Sequence, residues 1–564
     1  MKRLDSLYKS NSSYLFPIII GFFATLFFCG PRCLDPTNIS WLINGDSAQH
    51  YLGWAFYRSS PWTFPIGLNP SWGLENSSSI IYADALPFLA IPFKVIEAIL
   101  PEPFQYYGLW FLLSFSLSAV FAWRLFKEHN CDIFLSLCGT FLLTLSPIIA
   151  WRVGGHQSLA GHWVLIWALA NNVSNKPKLR WLEWGILLSA SIAIHPYFTV
   201  MCAFLFVADF IHREFDSTNI KATLKRNVRP LGTLGLVCLV TAWQVGLIGT
   251  TASPGSDTGF GFYRTNLNSL FNPMGASSFL LSRPSGAGDY EGFAYLGIGI
   301  LILGFVVLFD LIVRSDAIFF QEKASTPLIV SLLLLLIWAV TPNIGFDKWN
   351  MQLFHLDNSF VQVFRASGRF IWPLWYFIVI ALVLQINHLL CSLRSKRARA
   401  IYVFLLFICV LQGIDFYGLS KDIKHTLMQT RSSLWWGYDS ESWKKLSERY
   451  TTLRVIKFPG LAYPQWREVS FLASQYKLKT NVAYLARIDN DILKNQQVKD
   501  EIILNSQELD KSCIYVLSET DAVSFIKKHP EMIRFIRKLD GFILLLPRNS
   551  DVSIGDSFER GVGS

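Results

Sequence analysis

The chain has 564 residues, of which 52% are hydrophobic, 15% aromatic and only 16% charged, with a net charge of +10. Apolar runs of roughly 17 to 25 residues recur between polar or basic turns, the length a helix needs to cross hydrocarbon, which excludes a soluble globular chain and points to a polytopic membrane protein. The basic residues gather in particular turns, where they set orientation in a bilayer, so the positive charge argues against nucleic acid as a partner.

Lys2, Arg3 and Lys9 precede the first apolar stretch. Leu15 to Cys29 lacks a convincing small-residue cleavage site, and an uncleaved signal anchor with its basic end inside is expected over about 14–31. A long outer loop then runs to about 104. Within it Leu86 to Leu100 is apolar but short, interrupted by Pro87, Pro92 and Lys94, and is expected to be a re-entrant or interfacial helix.

Spans are expected at about 105–126, 132–151, from 159 to the basic turn Lys176 to Arg180, and 181–195, where His195-Pro196-Tyr197 ends the helix. A sixth returns to Arg213, Lys221, Lys225, Arg226 and Arg229. Five more are expected at about 231–250, 293–313, 326–341, 371–391 and 400–418, giving about eleven in all. With this layout the inner turns hold about twice as many Lys and Arg as the outer loops. Most of the nine cysteines, among them Cys138, Cys202, Cys238, Cys391 and Cys409, lie in apolar segments as small hydrophobes. From about 420 the composition changes. Leu453 to Phe458, Ile514 to Leu517 and Phe542 to Leu546 are expected strands, and Glu441 to Tyr450, Trp466 to Leu478 and Asp521 to Leu539 expected helices. The fold class is therefore an α-helical polytopic membrane domain over 1–419, with 30–104 as its first periplasmic loop, and a small periplasmic α/β domain over 420–564 whose last dozen residues are disordered.

The expected outer ends of the helices collect Asp46, His50, Arg58, Asp84, Arg152, His156, His162, His195, Tyr197, Tyr263, Arg264, Glu291, Arg365 and Arg369. Charges there need a partner or a wet cavity, so each is a candidate. Asp46 beside Gln49, His50 and Tyr51 suits a general base or an ion ligand, or else the cap of a short helix over Ser47 to Tyr57. Arg365 and Arg369, four apart, would lie on one side of a helix and suit a phosphate. His195 before proline suits a helix-end hydrogen-bond donor rather than a catalyst. His156 and His162 have no third ligand at suitable spacing, and no metal site is expected from them. No Walker A, dinucleotide glycine fingerprint or GxSxG elbow occurs, so any outer-face synthesis would draw on a lipid-linked donor rather than a cytosolic nucleotide.

This organisation, a basic terminus, one helix, a long outer loop with an early aspartate, a re-entrant helix and many spans before a tail, resembles the GT-C superfamily of membrane glycosyltransferases. More closely, Gly45-Asp46, Gln49 to Trp54, Phe64-Pro65-Ile66-Gly67, Tyr290-Glu291-Gly292-Phe293 and Arg365 to Phe370 resemble a bacterial polytopic family of unknown function, over roughly residues 10 to 420. The superfamily resemblance implies an inner-membrane enzyme of envelope glycan biosynthesis that transfers a hexose or pentose from a polyprenyl-phosphate donor, with inversion, to a periplasmic glycan, lipid or protein. It implies Asp46 as general base and Asp84 as a second acid for the acceptor or a cation. Arg365 and Arg369, with Arg152 and Arg264, would bind the donor phosphate, and His50, His156, His195, Tyr263 and Glu291 the acceptor or sugar. The adjacent acid pair of some members is absent, which leaves a divalent cation open and no metal ligand assigned. The alternatives are a lipid-linked-glycan flippase, against which the nearly charge-free helix interiors argue, and a scaffold for envelope assembly.

Overall fold

A computed structural model describes residues 11–77, 79–249, 259–314, 325–356, 359–392, 395–428, 438–485, 490–506 and 508–547. The basic residues ahead of the first helix and the tail expected to be disordered lie outside them. The chain forms two compact units, one drawn from Met1–Asn38, Pro103–Thr241 and Ser256–Met428, the other from Ile39–Glu102, Ala242–Gly255 and Gln429–Ser564.

The first unit is helical. Among the described residues four helices are long and apolar enough to cross a membrane, Tyr107–Glu128, Ile133–Val153, Ser367–Cys391 and Ala398–Asp415, and four shorter ones are apolar, Leu15–Cys29, Trp181–Ile194, Ile298–Val313 and Thr326–Val340. Ile133–Val153 is two helices, Ile133–Thr144 and Pro147–Val153, joined at Leu145-Ser146, and Ser367–Cys391 opens with a 3-10 turn before its α-helix. Asp132 opens Ile133–Thr144, its Oδ1 accepting the N–H groups of Phe134 and Leu135 at 2.9 and 3.0 Å. Ser325 opens Thr326–Val340, with Pro327 in its first turn. Leu15–Cys29 lies against Tyr107–Glu128, where Phe28 stacks on Phe115 at 5.7 Å. Gly21 sets this closeness, because a Cβ there would stand 2.3 Å from Ser116 Cα. At the ends of two helices Arg124 donates to both Glu183 oxygens at 2.9 and 2.8 Å, and Arg180 to both Glu128 oxygens at 3.0 Å.

Several boundaries differ from expectation. Trp163–Val173 is eleven residues long, because the Gly161-His162 step is preceded by a 3-10 turn, Gln157–Ala160. Ile220–Gln244 begins well before 231 and takes Lys221, Lys225, Arg226 and Arg229 into the helix, since lysine and arginine are good helix formers even where hydropathy is low. After Thr326–Val340 comes an antiparallel hairpin, β1 (Asn343–Phe346) and β2 (Trp349–Gln352), pairing Asn343 with Gln352 and Phe346 with Trp349. The loop before Ile298–Arg314 is pinned by Asp415, which accepts from Tyr295 Oη and the Ile298 N–H, both at 2.9 Å. Nearby, Phe279-Leu280-Leu281 turns large apolar side chains outward, Leu281 being 92% exposed.

The second unit joins the first long loop to the C-terminal sheet. Its strands are β3 (Thr452–Val455), β4 (Lys479–Thr480), β5 (Cys513–Leu517), β6 (Ile536–Leu539) and β7 (Phe542–Leu545), in the order β4-β3-β5-β7-β6. β3 runs parallel to β4 and β5, whereas β7 is antiparallel to β5 and β6. Every residue of β5 is buried, as a central strand covered on both faces requires. The expected helix Asp521 to Leu539 divides into a helix, Glu519–Lys528, and strand β6, because His529-Pro530 interrupts the hydrogen-bond ladder. The helix Asn490–Ser506 has no counterpart among the expected elements. The first loop is tied to this sheet by Thr480, whose N–H donates to Ser71 O at 3.0 Å and whose carbonyl accepts from Gly73 at 2.8 Å. Tyr51 also stacks on Phe471 at 5.8 Å.

Gly21→Ala forces two helix backbones apart, so a loss of about 1–3 kcal/mol is expected. Thermal unfolding of the detergent-solubilised protein checks it, with an unchanged midpoint counting against this contact.

Candidate active site

In the helical unit the candidate residues converge on Glu291. It sits in a 3-10 turn, Asp289–Gly292, while Arg152 comes from the last turn of Pro147–Val153 and Arg369 from the 3-10 turn Ser367–Ile371 that leads into Trp372–Ser392. Arg369 grips the carboxylate with two bonds, Nε to Oε2 and Nη2 to Oε1, both at 2.9 Å. Arg152 donates Nη1 to Oε2 at 2.7 Å and Nη2 to the Glu291 carbonyl at 2.8 Å. His156 Nε2 stands 3.7 Å from Oε1. Glu291, Arg152 and Arg369 are 3%, 2% and 7% exposed, so this is a desolvated cluster in which one carboxylate holds two guanidinium groups. Burial alone would raise the Glu291 carboxyl, but Arg152 and Arg369, with His156, hold it well below the usual 4.5.

Aromatic faces complete the cluster. Arg369 lies 4.7 Å from the Tyr197 ring centroid and Arg152 5.1 Å from that of Trp372. Tyr197 Oη accepts the Ala366 N–H at 2.8 Å. The Gly368 N–H donates to Tyr263 O, and Thr265 Oγ1 to Gly368 O, both at 2.9 Å. The stretch before Arg369 is therefore bolted to the loop that carries Glu291.

The other residues of the unit take separate places. Arg365 precedes the 3-10 turn, with Ala366 at φ −84° and ψ 60°, so the helical four-residue spacing to Arg369 does not apply; it lies 6.0 Å from the Tyr263 ring centroid. Arg264 pairs with Asp289, Nε to Oδ1 at 3.3 Å. His195 Nδ1 accepts the Tyr197 N–H at 3.3 Å and so caps the start of the helix Pro196–Glu214, an acceptor there rather than the expected donor because a helix start offers free N–H groups. His162, fully buried, packs 4.5 Å from the Trp372 ring. Asp289 was not among the expected site residues, although an acid two positions before Glu291 in a glycine-rich loop was a visible signal.

In the second unit the helix Gly45–Ser59 carries Asp46 in its first turn, where a carboxylate is favoured by the helix dipole. Asn44, not Asp46 as expected, occupies the N-cap position, because the helix starts two residues before Ser47. One turn on, His50 is buried, and its Nε2 stands 3.5 Å from Asp84 Oδ2. Asp84 and Leu86 both hold positive φ, 49° and 53°, in a turn fixed by the Ala85 N–H donating to Ile80 O at 3.0 Å. Such left-handed residues are sparsely populated and persist where the surroundings over-determine them. The far end of the helix is clamped by Lys94 Nζ, which donates to Tyr57 O and Ser60 O at 2.7 and 2.8 Å. Arg58 reaches on to the carbonyls of Glu97, Leu100 and Pro101. Helix and turn thus hold an imidazole and a carboxylate in register, with Asp46 one helical turn before His50.

Residues 18–417 match the model of a family described as "Domain of unknown function (DUF6311)", and residues 442–547 match the "DUF6311 C-terminal domain". The chain belongs to this family. A comparison with curated protein sequences gives no match. Among solved structures the chain is similar to the oligosaccharyltransferase of Archaeoglobus fulgidus in the apo form, at 12% identity and a TM-score of 0.40 over 85% of this chain and 65% of that one. It is likewise similar to archaeal oligosaccharyltransferase AglB from Archaeoglobus fulgidus in complex with an inhibitory peptide and a dolichol-phosphate, at 10% identity and a TM-score of 0.40, over 97% and 75% of the two chains. The chain thus spans under two thirds of the length of the first of these.

Removing the Glu291 charge leaves two buried guanidinium groups facing one another. Glu291→Ala is expected to cost about 3–5 kcal/mol, and Glu291→Gln less. Because the folded carboxyl is depressed, its contribution is whole above pH 4.5 and is lost as pH falls towards the folded value. Unfolding midpoints measured across acidic pH check both points, and a Glu291→Gln protein with the same pH dependence as the parent would contradict them.

Proposed function

We propose that the protein is a membrane glycosyltransferase that moves a sugar from a polyprenyl-phosphate-linked donor to an acceptor at the periplasmic face, within a layout of about eleven spans. The observation that carries this reading is the Glu291 cluster. Two buried guanidinium groups are held in fixed orientation by one carboxylate, at the ends of helices apolar enough to span a bilayer. A planar guanidinium suits a phosphate oxygen, and one already oriented and desolvated binds it more strongly than a mobile surface charge would.

In this reaction Asp46 takes the proton of the acceptor hydroxyl, whose oxygen attacks the anomeric carbon from the face opposite the leaving group. The bond from that carbon to the phosphate oxygen breaks, the electron pair leaves with the lipid phosphate, and the sugar inverts. Arg152 and Arg369 offset the charge that builds on the leaving phosphate. Arg365 and Arg264 are secondary choices for that role. His50 and Asp84 orient the acceptor, and His156, His195 and Tyr263 line the sugar. For a divalent cation, a carboxylate and an imidazole form a mixed donor pair rather than the all-oxygen shell that magnesium or calcium takes, so no step is given to one.

The test is transfer of radiolabelled sugar from a panel of polyprenyl-phosphate donors by the full chain in membrane vesicles. Asp46→Asn is expected to lower transfer by about 100-fold to 10,000-fold with the unfolding midpoint unchanged, and Arg369→Lys to weaken donor use. Full activity in Asp46→Asn would refute the base. Label crossing the vesicle without any chemical change would replace transfer with transport.

A further inference from the structure

The loop after residue 259 and the β1–β2 hairpin of the helical unit line an open cleft of about 320 Å³, separate in its lining from the Glu291 cluster. That volume matches the lower range of small-molecule sites and far exceeds the roughly 10–15 Å³ that holds one water molecule. Arg264 and Asp289, 3% and 1% exposed, are its buried ionic groups. Arg264 also donates Nη1 to Asn343 O and Nη2 to Asn350 Oδ1. Asp289 Oδ2 accepts from Asn266 Nδ2 at 2.8 Å and from the Gly286 N–H at 2.7 Å. Gly345 leaves room for this seat, since a Cβ there would lie 2.6 Å from Arg264 Nη2 and displace the guanidinium.

The chemistry of the lining selects among ligand classes. The one guanidinium is neutralised by a carboxylate and shared among three acceptors, so a phosphate gains little there. Asn343 already donates Nδ2 to Gly261 O at 2.9 Å and Asn350 Oδ1 accepts from Arg264, but the Asn350 Nδ2 group and the Gln352 amide sit at exposed positions of β2 and would lose water to an apolar ligand without gaining a hydrogen bond. Phe262 and Phe354 add apolar faces, 50% and 57% exposed. Amides around a closed ion pair, with aromatic faces beside them, match a ligand that is polar at its edges and apolar on its flat sides.

We infer that this cleft is a binding subsite for a neutral sugar ring, with Arg264 and Asp289 as its hydrogen-bonding floor and Phe262 and Phe354 as its stacking walls. It rests on the reading of the protein as a glycosyltransferase, and it moves Arg264 from the donor phosphate to the glycan. Ring C–H faces pack on the aromatics, and hydroxyls exchange hydrogen bonds with the amides and with the spare capacity of Arg264 and Asp289.

The test is saturation-transfer NMR on the full-length protein in detergent, with glucose, galactose, mannose and N-acetylglucosamine as probes and inorganic phosphate as competitor. At least one sugar is expected to bind saturably, phosphate not to displace it, and Phe354→Ala and Gln352→Ala, both at exposed positions, each to weaken it by about tenfold. No binding by any probe, displacement by phosphate, or both variants binding like the parent would overturn the proposal. Asp46→Asn separates the two readings. Sugar binding that survives in this variant while transfer is lost supports both, whereas sugar binding in a parent that never transfers sugar upholds the cleft and refutes the enzyme.

Discussion

One buried carboxylate fixes the arrangement of the helical unit's functional end. Glu291 draws in Arg152 and Arg369, which are far from it and from each other in sequence, and bonds to both. Taking three ionised groups out of water is costly, and only close, directed bonds offset it. The backbone around them is correspondingly constrained: Thr265 and Gly368 tie the loop to the turn before Arg369, and Asp415 fixes the start of the next helix. A carboxylate in this position cannot be exchanged for another side chain without leaving like charges in contact.

The same logic governs the start of the second unit at a smaller scale. Lys94 and Arg58 take up carbonyl groups at one end of the helix Gly45–Ser59, while Asp46 meets the dipole at the other. The helix is short and moderately polar, so its place is set by these terminal contacts and by burial of Trp54, Phe56 and Tyr57. The left-handed turn at Asp84 and Leu86 then presents a carboxylate to His50. Chemistry-bearing groups in both units stand on backbone held at both ends.

Much of the helical layout could be read from hydropathy, because a span announces itself by length and by the absence of charge. The failures have local causes. The helix beginning at Ile220 was expected late because its first turns are basic, and helicity does not require apolarity. The stretch Asp521 to Leu539 was expected as one helix although Pro530 divides it, and the hairpin after Thr341 is too short to leave a periodic trace. Among the candidate residues, Asp46 in one unit and Glu291 and the arginines in the other stand out as charges among apolar runs. Their partners do not: the pairing of Arg152 with Glu291 spans 139 residues, and no spacing rule reports a contact of that kind. Arg365 and Arg369 were related by a helical spacing that the 3-10 turn between them does not obey.

The outward-turned Phe279-Leu280-Leu281 segment places exposed apolar side chains beside the end of Ala398–Asp415. Its neighbours Ser277 and Ser278 are anchored to Asp415 at the end of a membrane-length helix, so these side chains cannot retreat into the fold. An amphiphile belt that stops at the helix ends would leave them wet, and the molecule would then favour thick belts, native lipid or self-association over a thin micelle.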